Sequence, residues 1–202
     1  FSPLVEPLSI ACYSVKLADM PMRGRRVAIL GAGPIGLSVL MVARRQGVGR
    51  AYVTDKLDYR RRVARGFGAG WTGNPDRQDV AAAIVRREPL RLDCVFECCG
   101  QQEAVDQAVE MLRPGGTLVM VGIPEVERIS FAIDQLRRKE IRVQNVRRQN
   151  ECVQEAIDLI GKHEVKAPAM ITHRFDLAQT RQAFNLVAGY RDGVVKAMIR
   201  MR

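Results

Sequence analysis

Between Arg25 and Ile123 the chain alternates short, predominantly apolar runs with longer stretches whose apolar residues recur at helical spacing. The apolar runs predict strands over Arg26–Leu30, Ala51–Thr54, Leu92–Glu97 and Thr117–Gly122, with a weaker one over Gly70–Thr72. The periodic stretches predict helices over Ile35–Gln46, Tyr59–Phe67, Asp79–Arg87 and Glu103–Leu112. Gly47 is placed to end the first helix, and Arg113-Pro114-Gly115-Gly116 turns the chain into its next strand. A strand without a polar face must be covered on both sides. Such strands, separated by helices, predict an α/β fold with a doubly wound parallel sheet.

The ends follow another pattern. Glu6–Ala18 reads as one helix entered through Pro7. Arg142–Val146 reads as a further strand, Cys152–Lys162 and Leu177–Val187 as amphipathic helices, and Val194–Met201 as a closing strand. No internal repeat or low-complexity linker interrupts the chain, and its boundaries are expected near Met22 and around Val143.

Composition narrows the class. The 202 residues, 47% hydrophobic and 27% charged, describe an ordinary globular protein. No apolar run can span a bilayer, so no membrane association is expected. The net charge of +10 would suit a nucleic-acid binder, but the cations are scattered: Arg23–Arg26, Arg60–Arg62, Arg86–Arg87, Arg137–Lys139 and Arg147–Arg148. Solvated helix faces and an anionic cofactor account for them, and no nucleic acid is expected. Cys12, Cys94, Cys98, Cys99 and Cys152 form no C-x-x-C pair and have no His at zinc-finger spacing. Free thiols without an export signal point to the cytoplasm.

One short segment carries chemistry. Gly31-x-Gly33-x-x-Gly36 lies between a predicted strand and a predicted helix. The first glycine permits the tight turn, the second lets backbone approach a pyrophosphate, and the third lets the helix pack close to the sheet. The helix N-terminus offers free N–H groups and about half a positive charge to the phosphates. About 20 residues on, Asp55 ends the next strand, where a carboxylate accepts both adenine-ribose hydroxyls and repels a 2′-phosphate. NAD is therefore expected over NADP, although Lys56 and Arg60–Arg62 nearby could accommodate a phosphate.

With these residues in place, the chain resembles the zinc-dependent medium-chain dehydrogenases, and within them the sorbitol/xylitol (polyol) branch. The resemblance rests on Val5-Glu6-Pro7-Leu8-Ser9, Gly31–Gly36, Asp55 with Arg60, Glu97-Cys98-Cys99-Gly100, Arg113-Pro114-Gly115-Gly116-Thr117-Leu118, Val121-Gly122-Ile123 and Thr172-His173-Arg174-Phe175, in that order and spacing. It covers essentially the whole chain but only the latter part of a family member. It implies remnants of a second, catalytic domain at both ends: 1–22 as a linking helix, 23–143 as the NAD-binding Rossmann domain, and 144–202 as a segment returning to the catalytic domain.

The resemblance also assigns roles. Pro34 and Ile35, with Gly31, Gly33 and Gly36, would contact the cofactor from the glycine loop. Asp55 and Arg60 would hold its adenosine half, and the backbone of Val121, Gly122 and Ile123 its nicotinamide carboxamide. Arg147 matches an arginine that reaches cofactor and substrate; its neighbour is Arg148 where the family often has an aromatic residue. Glu6 matches a ligand of the catalytic zinc, whose other ligands lie in an upstream domain outside this sequence. Neither His163 nor His173 fills that role. The implied reaction is hydride transfer from a polyol or secondary alcohol to NAD, with zinc polarising the alcohol in the full enzyme. The small-molecule substrate would be met by a homo-oligomer, a dimer or tetramer. A threonine dehydrogenase shares several of these motifs, and a non-catalytic NAD-binding module is the alternative of another class. Cys98 and Cys99 invite a nucleophile reading, but no base accompanies them, and packing beside the cofactor is expected.

Overall fold

The computed structural model describes residues 2–201. Its centre is a sheet of six parallel strands: β1 (Arg26–Leu30), β2 (Arg50–Thr54), β3 (Trp71–Gly73), β4 (Leu92–Glu97), β5 (Leu112–Met120) and β6 (Arg142–Asn145), in the order β3-β2-β1-β4-β5-β6. Helices α1 (Ser2–Leu17) and α2 (Pro34–Arg45) precede and follow β1; α3 (Asp58–Gly66), α4 (Val80–Arg87), α5 (Gln102–Met111) and α6 (Ile133–Arg138) fall between later strands. Beyond the sheet come α7 (Val153–Gly161), β7 (Ile171–Asp176), α8 (Thr180–Ala188) and β8 (Lys196–Arg200). This is the doubly wound Rossmann arrangement that the apolar strands predict.

Alternation along the strands explains why both faces are covered. Val27, Ile29, Val53, Cys94, Phe96 and Val119 point into one core with Leu4, Leu8, Leu37 and Leu40 of α1 and α2. Their neighbours Ala28, Leu30, Tyr52, Val95 and Leu118 point into a second core with Ile84 of α4 and Val105 and Val109 of α5. Period-two side-chain direction thus gives each strand two buried faces.

Several boundaries differ from the sequence expectation, each for a physical reason. The first helix begins at Ser2, so Pro7 lies inside it rather than at its entrance. Pro7 removes one N–H from the ladder, but Leu4, Leu8, Ala11 and Val15 form a fully or almost fully buried stripe, and α1 packs on α2 and α7. Strand β5 begins at Leu112, before the expected turn. Leu92 pairs with Leu112 and Cys94 with Thr117, so Arg113–Gly116 bulges within the strand. Gly115 takes φ +69° there and donates to the Lys139 carbonyl at 2.7 Å.

Helix α6 has no buried residue and leaves no apolar period to read. Strand β7 alternates half-buried and exposed positions until Phe175, and it pairs in parallel with β8 in a separate two-stranded sheet. Among the described residues, no helix is long and apolar enough to cross a membrane. All five cysteines are free.

Candidate functional site

The strand order reverses direction between β1 and β4, and the loops after their C-terminal ends line the crevice where open α/β sheets bind ligands. The loop after β1 is the glycine loop. Gly31 takes φ +98°, which L side chains rarely adopt, and donates to the Thr54 carbonyl at 2.8 Å. A Cβ at Gly36 would run into the carbonyl oxygen of Gly31, so α2 could not start so close to the strand with any other residue. A Cβ at Gly33 would meet only the Arg60 guanidinium, at 3.7 Å, which leaves the outer side of the loop open.

Helix α2 starts at Pro34, which has no N–H to lose, and its N-cap Gly33 has no side chain with which to cap the first turn. The first turn therefore keeps backbone donors for an anion. The cradle that these glycines leave fits the pyrophosphate of a dinucleotide.

Asp55, 9% exposed, follows β2. Its Oδ2 accepts the Ala32 amide and its Oδ1 the Leu57 amide, each at 2.8 Å. Arg60 on α3 lies 3.8 Å from Asp55 Oδ2 and stacks on Tyr190, with its guanidinium carbon 5.1 Å from the ring centre. Its Nε is buried without a partner, as is the Tyr59 hydroxyl. Lys56 pairs with Asp76 at 2.9 Å, and Arg61 pairs with Asp58 while donating to the Asp55 carbonyl at 2.6 Å. Two of the cations near Asp55 are thus already engaged.

The loops after β4 and β5 close the other side. Val121 and Gly122 leave the strand, and both amides donate to the Glu97 carbonyl, at 2.8 and 2.9 Å. A Cβ at Gly100 would collide with the Ile123 carbonyl, so the two loops touch backbone to backbone. The Ile123 side chain is 90% exposed. Cys98 donates its amide to the Leu30 carbonyl at 2.8 Å, which ties this loop to β1 as well. Burial and then the Glu97 carboxylate push the Cys98 and Cys99 thiols up, away from the thiolate that a nucleophile needs.

The sequence-derived residues therefore fall into groups. Gly31, Gly33, Pro34, Ile35, Gly36, Asp55 and Arg60 come together around one loop. Val121, Gly122 and Ile123 lie across the crevice with residues 97–100. Arg147 lies exposed just past β6, and Glu6 lies exposed on α1; neither makes a hydrogen bond or ion pair through its side chain among the described residues. No group of three or more His, Cys, Asp or Glu able to hold a metal occurs among the described residues. The sequence places Glu97 at the end of a strand and in the Glu97-Cys98-Cys99-Gly100 motif, but assigns it no role in the site. Its signal is a carboxylate that closes a fully buried strand in which Asp93 is the only other polar residue.

Comparisons with known proteins agree on the kind of molecule. A family model described as "Zinc-binding dehydrogenase" matches residues 34–162. Sorbitol dehydrogenase from Gallus gallus is 30% identical over 200 residues, 98% of this chain and 55% of its own length. Sorbitol dehydrogenase 1 from Saccharomyces cerevisiae is 32% identical over 203 residues, 96% of this chain and 56% of its own length. The chain thus spans about half the length of the curated relatives it matches. Among solved structures, a zinc-binding dehydrogenase from Sinorhizobium meliloti 1021 with NADP bound superposes with a TM-score of 0.88 at 29% identity, over 97% of this chain and 58% of that one. The 2R,3R-butanediol dehydrogenase from Bacillus subtilis gives 0.89 at 25%, over 98% and 57%.

Proposed function

The chain belongs to the zinc-binding dehydrogenase family, and from that premise we propose that it is the NAD-binding part of an NAD-dependent alcohol or polyol dehydrogenase. The observation that carries the reading is the Asp55 carboxylate, fixed by the amide of Ala32 inside the glycine loop. An anion held there accepts ribose hydroxyls and repels a 2′-phosphate. Lys56 and Arg61 do not counter that repulsion, because each is engaged with another carboxylate. This favours NAD over NADP for this chain.

Each residue then has a task. Gly31, Gly33, Pro34, Ile35 and Gly36 form the loop that receives the pyrophosphate, on the free N–H groups of the first turn of α2 and on the positive end of that helix. Asp55 and Arg60 orient the adenosine half. The backbone of Val121, Gly122 and Ile123 fixes the carboxamide, which sets the face of the nicotinamide turned to the substrate. When bound, NAD supplies the hydride acceptor for the alcohol carbon. Arg147, exposed just past β6, is the residue assigned to reach cofactor and substrate.

Zinc belongs to the family's description, but the donor set among the described residues does not fit a closed zinc site. Glu6 is the one residue proposed as a ligand, with the others drawn from elsewhere in the full protein. The division into a linking helix over 1–22, the NAD domain over 23–143 and a returning segment over 144–202 belongs to the same proposal. So do a cytoplasmic setting and assembly as a dimer or tetramer.

The test is activity of the protein expressed from its complete reading frame, with NAD, across a panel of polyols and secondary alcohols, before and after a chelator. Oxidation of a polyol that is lost with the chelator and restored by zinc supports the reading. Oxidation of threonine in preference to every polyol would move the chain to the threonine dehydrogenase branch. Firm NAD binding without any alcohol oxidation would make it a binding module.

A further inference from the structure

Glu97 is wholly buried, yet only half of its carboxylate is used. Oε1 accepts the amides of Cys99 and Gly100, both at 2.7 Å, while Oε2 is buried without a partner. The same residue's carbonyl accepts the amides of Val121 and Gly122. One residue thus holds the turn after β4 with its side chain and the turn after β5 with its backbone. Oε2 faces Gly122 so closely that a Cβ there would lie 2.6 Å from it. An unpaired buried carboxylate oxygen costs free energy and is kept only where the surroundings over-determine it. The same backbone crowding leaves Gly122 no room for a side chain.

We propose that Glu97 is the positioning residue of the nicotinamide half of the site: it sets the spacing of loops 98–100 and 121–123 and leaves the adenosine half untouched. The inference rests on the NAD reading above. It goes beyond that reading because Glu97 touches no cofactor in this account and acts only through the backbone that would.

The experiment compares NADH with ADP-ribose, which keeps the adenosine and pyrophosphate but lacks the nicotinamide. Binding of both to the chain is measured by calorimetry, and the fluorescence of bound NADH is recorded, for the wild type, Glu97→Gln and Gly122→Ala. Glu97→Gln keeps the shape and one acceptor but places a donor NH2 where the charge was. Gly122→Ala perturbs the same spacing from the opposite loop with Glu97 intact. Both variants are expected to weaken NADH by about tenfold, the worth of one hydrogen bond, to change bound-NADH fluorescence, and to leave ADP-ribose affinity unchanged. A folded Glu97→Gln chain with the wild-type NADH to ADP-ribose ratio would overturn the proposal. So would equal losses for both ligands, which signify general damage. A wild type that binds neither ligand overturns the NAD reading instead.

Discussion

The Asp55 carboxylate and the Ala32 amide, 23 residues apart in sequence, meet at 2.8 Å. The acid that would read the ribose is thereby part of the loop that would hold the pyrophosphate. Its second oxygen is fixed by the Leu57 amide, so the carboxylate has a single orientation before any ligand arrives. Such preorganisation lowers the ordering cost of binding.

Replacing Asp55 by Asn tests this. One amide nitrogen would face a backbone N–H, donor against donor, and the negative charge would vanish. NAD affinity should fall by about tenfold or more, the loss expected for a hydrogen bond to a charged group. NADP should lose less, so the NAD to NADP ratio measured by calorimetry should shift toward NADP. An unchanged ratio would place ribose selection elsewhere.

Gly36→Ala tests the cradle itself. Its Cβ cannot coexist with the Gly31 carbonyl, so α2 must move away from β1. Overpacking of this kind costs about 1–3 kcal/mol. The melting temperature should fall and NAD binding should be lost. Alanine at Gly66, where a Cβ meets nothing within 4 Å, should be near neutral in both assays.

Asp93 predicts a pH dependence away from the site. Burial pushes its carboxyl up, but the Arg26 amide at 2.9 Å and the guanidiniums of Arg26 and Arg113, the latter at 2.9 Å, outweigh it and hold the group below its ordinary value. A carboxylate depressed in the folded state stabilises the fold above its unfolded pKa of about 3.9. That contribution disappears as pH falls through the lower folded value. Asp93→Asn should therefore cost about 2 kcal/mol near neutrality. The gap to the wild type should close in strong acid, as urea titrations at several pH values would show. A gap independent of pH would mean that the charge is not what matters.

The raised thiols give a chemical prediction. Cys99 is exposed, yet its thiol is pushed up by burial around the sulfur and by Glu97. Alkylation by iodoacetamide at pH 8 should be at least about tenfold slower than for a free thiol, whose pKa is about 8.5. Labelling followed by mass spectrometry measures this. A rate equal to that of a free thiol would reopen the nucleophile reading.

Much of this was legible in the sequence because it depends on local pattern. Apolar runs such as Leu92–Glu97 fix two-sided burial, and Gly31, Gly33 and Gly36 signal a loop only glycine can form. Asp55 is readable by its distance from that loop. What escaped depends on partners distant in sequence. Pro7 reads as a helix start until the buried stripe from Leu4 to Val15 is seen to hold it inside. The early start of β5 follows from the pairing of Leu112 with Leu92, which no local signal encodes. Strand β7 gains its identity only beside β8. Glu97 looks like a strand end until the amides of Cys99 and Gly100 are found on it.

The central claim is that this chain carries its own NAD site, and calorimetric titration of the purified chain with NAD and NADP tests it most directly. The account predicts saturable one-to-one binding of NAD, weaker binding of NADP, and loss of the heat signal in Gly36→Ala. No binding of either dinucleotide to the folded chain, or tighter binding of NADP, would contradict it.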